Sequence, residues 1–87
     1  MKPQVISKND PLFQSGTEVI FAEDQPEYIQ LPAIRFPGAE GLVVSRWTFT
    51  NEERDAIYAG EDLFLGTLTF NQDLQPLILS VGPEGIF

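Results

Sequence analysis

A chain of 87 residues with a net charge of −8, no histidine and no cysteine has few routes to bond-making chemistry: no imidazole proton shuttle, no thiol nucleophile, and no nitrogen or sulfur ligands for zinc. Hydrophobic residues at 43% and charged residues at 21% exclude a disordered chain and suit one small domain, which at this length buries roughly 60–65% of its unfolded surface. Thirteen acids against five bases, Lys2, Lys8, Arg35, Arg46 and Arg54, exclude the clustered cations that direct binding to nucleic-acid phosphates needs.

Residues 1–17 hold Pro3, Pro11 and Gly16 with little periodicity, which predicts a loosely ordered arm anchored by Leu12 and Phe13. Glu18 to Ala22 is a short β-prone run closed by the polar turn Glu23-Asp24-Gln25-Pro26-Glu27. A second strand is predicted from Tyr28 to Phe36. Pro32 cannot donate to a ladder, so that strand belongs at an edge or breaks there. The turn residues Pro37-Gly38-Ala39-Glu40-Gly41 then lead into a strand over Leu42 to Phe49, making a hairpin. Alternation within the later strand sets Val43, Ser45, Trp47 and Phe49 on one side, read as the core side, and leaves Arg46 facing out.

Thr50-Asn51-Glu52-Glu53 has the form of a capping box, in which the Thr50 hydroxyl and the Glu53 carboxylate satisfy each other's backbone amides. A helix is therefore predicted from Asn51 to Ala59, with Glu52, Glu53 and Asp55 against its positive end and Gly60 ending it. So short a helix is marginal alone, and Ile57 is expected to hold it on the sheet. Asp62 to Phe70 reads as a strand with apolar residues on both sides, hence a central one, and Gly66 as a bulge or a close backbone approach. Asn71-Gln72-Asp73 makes a turn into a last strand over Pro76 to Val81, and Ile86-Phe87 forms an apolar tip. The fold expected is α+β, mostly antiparallel: about five strands in a small barrel or sandwich with one short capped helix.

A domain this small without disulfides or thiolate zinc sites relies on packing or on self-association. The sequence from Met1 to Lys8 lacks a signal-peptide pattern and no apolar run reaches the roughly 20 residues needed to span a bilayer, so the expectation is a soluble, cytoplasmic protein with no membrane partner. The glycines match no phosphate-cradling or dinucleotide fingerprint, and the acids around Glu52 lack the calcium-loop pattern. No catalytic residue, metal or cofactor is assigned. The candidate partner-binding residues are the scarce bases Arg46 and Arg54 and the acids Glu52, Asp55, Glu61 and Asp62.

The run Arg46-Trp47-Thr48-Phe49-Thr50-Asn51-Glu52-Glu53-Arg54, continuing through Ile57, Gly60, Asp62 and Leu63-Phe64-Leu65 to Gln75-Pro76, resembles the strand, capped helix and hairpin of small proteins encoded by tailed phages and prophages. The resemblance covers less than half of the chain and carries no catalytic residue. It implies a phage-type interaction module acting in the bacterial host cell, non-enzymatic, binding a phage or host protein or a second copy of itself. The acidic charge supports an alternative, an inhibitor that imitates nucleic acid before a host defence system. A third reading is a small-ligand binder using carboxylates with Tyr28 or Tyr58.

Overall fold

The computed structural model describes residues 1–74 and 76–87. Gln75, part of the segment that carries the resemblance, lies outside the described residues. The fold is α+β and mostly β, with five antiparallel strands in two sheets and one α-helix among the described residues.

In the smaller sheet β1 (Lys2–Gln4) pairs with β5 (Arg46–Thr48), Lys2 opposite Thr48 and Gln4 opposite Arg46. The larger sheet has the order β2 (Thr17–Phe21), β3 (Leu31–Arg35), β4 (Val43–Val44). Helix α1 spans Asn51–Tyr58. The two sheets do not close into a barrel.

The hairpin expected around Pro37–Gly41 is β3–β4, with Ile34 opposite Val44 and Arg35 opposite Val43. Gly38 and Gly41 take positive φ, and the Phe36 N–H donates to the Leu42 carbonyl at 2.9 Å, closing the hairpin. Pro32 lies in the middle strand and not at an edge. It is tolerated because β4 reaches only Ile34 and Arg35, so Pro32 sits where β3 is paired to β2 alone.

One small core forms against the larger sheet, on β3 and β4. Ile6, Phe13, Ile34, Phe36 and Val44 are buried together, with Leu42 and Ile86 packed against them. Gly16 is buried because a Cβ there would overlap Cγ2 of Ile34. The Phe87 ring meets those of Phe13 and Phe36 edge-on, with centroids at 5.7 and 5.3 Å, so the apolar tip anchors the last residues to the core. Edge-to-face contacts suit the positive rims and negative faces of these rings.

Several expectations are corrected. The first seventeen residues supply β1 and the buried Ile6 and Phe13, while Leu12 stays exposed. The Leu42–Phe49 strand is split at Ser45, and Val44 is the buried residue while Val43 and Trp47 face outward, Trp47 at 44% exposure. Val43 and Trp47 stay on one side across the break, and that side is the outer one; the Trp47 indole N–H donates to Ser45 Oγ at 3.0 Å. Helix α1 has the predicted cap but not the predicted packing: Ile57 is half-exposed and Tyr58 is 95% exposed. The largest departure is at residues 61–82, where the described residues form no strand at all, and Gly66 has nothing within 4 Å of a Cβ added there.

Candidate interaction surface

The helix side of the surface is built by its caps. Thr50 Oγ1 accepts the Glu53 N–H at 3.1 Å, and Glu53 Oε1 accepts the Thr50 N–H at 2.8 Å. The same carboxylate oxygen accepts from the Met1 amino group, which ties the helix start to the strand that begins at Lys2. That contact first, and the Thr50 amide second, hold the Glu53 carboxyl below its ordinary value of 4.5. At the other end the Glu61 N–H donates to the Ala56 carbonyl and the Gly60 N–H to the Ile57 carbonyl, both at 3.0 Å, around Gly60 at φ 102°. This is a Schellman closure, and it requires a residue at ease in left-handed backbone.

These caps set out Glu52, Arg54 and Asp55 on α1 and Glu61 and Asp62 just beyond it, all exposed. Arg46 lies on β5, its guanidinium donating to the Val5 carbonyl at 3.2 Å. Among the described residues none of the six candidate side chains bonds another, and the one ion pair is that between Met1 and Glu53. The structure thus groups the acids around the helix without joining them to the two arginines. Among the described residues no three carboxylates gather into a metal-binding group, and no helix is long and apolar enough to cross a membrane.

Two features of the surface were not singled out in the sequence. The first is an open apolar hollow of about 510 Å³ in which Met1, Pro3, Ile29, Leu31 and Trp47 meet. Its one signal was the lone tryptophan, which alternation assigned to the core. The second is the excursion from Glu61 to Gly82, which leaves the core after the Gly60 cap and returns through a 3-10 turn over Pro83–Ile86 to Phe87. Phe64 is 87% exposed, and Leu65, Leu68, Phe70, Ile78 and Leu79 are all exposed. Its signal was present in the sequence as apolar residues on both sides, read there as a central strand.

The excursion also holds a preformed turn. Phe70 and Asn71 take φ of 52° and 66°, and the Gln72 N–H donates to the Thr69 carbonyl at 3.0 Å. Two successive left-handed residues under one such bond make the kind of turn that joins paired strands, because its twist matches theirs. Here it joins segments that have no strand partner among the described residues.

No protein-family model, curated protein or solved structure matches this chain.

Proposed function

We propose that this protein is a non-enzymatic interaction module of the tailed-phage type, acting in the cytoplasm of a bacterial host and binding another protein through the 61–82 excursion. The observation that carries the reading is the apolar, strand-prone surface of Leu63–Phe70 and Leu77–Val81, which lies open. Isolated soluble domains rarely expose contiguous apolar patches beyond a few hundred Å², and larger ones mark interaction sites. Strand addition suits it, because main-chain bonds give affinity and alternate side chains give specificity.

The test is a photoreactive side chain placed at Phe64 of the full chain, with a control at the exposed Glu40 in the hairpin turn, and irradiation of bacterial cells expressing each. The expected result is a discrete covalent protein adduct from position 64 and none from position 40. Absence of an adduct from the excursion defeats the reading.

The acidic-inhibitor alternative draws on one observation, the exposure of Glu52, Asp55, Glu61 and Asp62 free of ion pairs within the described residues. Such a surface steers a basic partner over long range. Lysine substitution at these four positions would abolish inhibition of a nucleic-acid-handling enzyme, more completely at low salt, and an unchanged inhibitor would reject it.

A further inference from the structure

Two whole-molecule quantities show more open surface than a compact chain of this size has. The solvent-accessible surface is 7435 Å², against about 5,100 Å² for a folded monomer of this mass. The radius of gyration is 14.4 Å, against about 12 Å for a compact chain of this length. The excess of roughly 2,300 Å² is more than a standard stable interface buries in total, about 1,600 Å².

Charge indicates the occupant. Of thirteen acids and five bases, the excursion holds Glu61 and Asp62 at its start and Asp73 just past the preformed turn, and the stretches 63–70 and 77–81 that carry its apolar surface hold no charge. A second copy of a chain carrying −8 is repelled from every acidic face, and these stretches are where two copies meet without juxtaposing like charges. A basic partner would instead match the acids around α1 and leave the excursion uncovered.

Both faces of the excursion are apolar, and its backbone has no ladder. An added strand supplies the missing hydrogen bonds, and a matching excursion supplies them reciprocally about a two-fold axis. The Thr69–Gln72 turn keeps the twist of paired strands although bulky Phe70 sits at left-handed φ, which is unfavourable for a residue with a side chain.

We infer that two copies associate about a two-fold axis through their 61–82 excursions, the strand-prone segments of each completing a shared antiparallel sheet with those of the other. The inference rests on the interaction reading above and names its partner as a second copy. Such an interface is isologous, residue i meeting j and j meeting i, so some position near the axis meets its own copy.

The experiment takes the full chain through light scattering over a concentration series, beside a Leu68→Lys/Leu79→Lys variant. A single-cysteine series through 63–70 and 77–81 accompanies it, unambiguous because the sequence has no cysteine of its own. The expected results are twice the chain mass for the native protein, a self-cross-link on mild oxidation at one position or a few adjacent ones, and association weakened about 100-fold or more by the buried lysines. The cysteine series needs no lysine variant to fold, so it decides the matter if that variant does not.

A native chain that stays monomeric to several hundred micromolar overturns the inference, as does a dimer unmoved by the lysines or one that cross-links at no excursion position. A monomer that still gives a heterologous adduct from position 64 in cells defeats the second-copy inference and leaves the interaction reading standing. A monomer with no adduct removes both.

Discussion

At the scale of single residues, the tightest constraint is the approach of Gly16 to Ile34. Ile34 is 1% exposed at the centre of a small cluster, so it has no free volume to move into. A methyl group at position 16 overlaps Cγ2 of Ile34 and presses close to the Phe36 ring, and overpacked cores lose typically 1–3 kcal/mol. Gly16→Ala is therefore expected to lower stability by about 2 kcal/mol in urea unfolding. A Gly16→Ala protein as stable as the parent would show that β2 enters the sheet elsewhere. Glu53 gives a second residue-scale expectation. Its carboxyl is held below the ordinary value by the Met1 amino group and the Thr50 amide, so the folded state binds the ionised form better than the unfolded state does. Its stabilisation is complete above the ordinary value of 4.5 and is lost as pH falls through the lower folded value. A carboxyl titration by NMR should give Glu53 a midpoint below its ordinary value of 4.5, and Glu53→Gln should flatten stability against pH in that acidic window alone.

At the scale of elements, α1 stands on its caps. It buries no side chain, and an eight-residue helix is marginal on its own. The Thr50 hydroxyl, the Glu53 carboxylate and the left-handed Gly60 therefore decide whether it persists. Thr50→Ala should cost about 1 kcal/mol, and Gly60→Ala a similar amount by forcing a Cβ into left-handed backbone. The local readout is amide exchange: Arg54, whose N–H donates to the Thr50 carbonyl, should lose protection while the β2–β3 ladder keeps its own. Capping was legible in the sequence because it depends on side chains within a few positions of one another, and so was the β3–β4 turn, where Gly38 and Gly41 stand at the positive φ that turn requires. The pairing of β1 with β5 was not, since it joins residues more than forty positions apart with no local pattern in Lys2–Gln4. Alternation grouped Val43 with Trp47 correctly but does not say which side is covered, and the covered side is that of Val44. The acids and arginines of the candidate surface were placed correctly as exposed, but nothing in their spacing revealed that Arg46 is engaged by the Val5 carbonyl. The excursion was recognised as strand-prone on both faces; what sequence could not supply is whether the partner for those faces lies within the chain.

At the scale of the whole molecule, charge and apolar surface pull in opposite directions, and the balance between them separates the two functional readings by the sign of a salt effect. Two copies at −8 repel through solvent, and added salt shortens the range of that repulsion from about 30 Å at 0.01 M to about 10 Å at 0.1 M. The contact proposed between excursions is almost free of charge, so salt takes nothing from its attractive side and strengthens apolar burial slightly. Self-association through 61–82 should therefore tighten as salt rises, by roughly three- to tenfold between 0.01 and 0.3 M. A complex in which Glu52, Asp55, Glu61 and Asp62 face a basic partner must weaken over the same range, because its attraction is what the salt screens. Sedimentation equilibrium at several salt concentrations reads the first, and titration of any captured partner reads the second. Self-association that loosens with salt would place oppositely charged groups in the contact, which the uncharged runs 63–70 and 77–81 do not offer, and would move the interface to the helix side of the molecule.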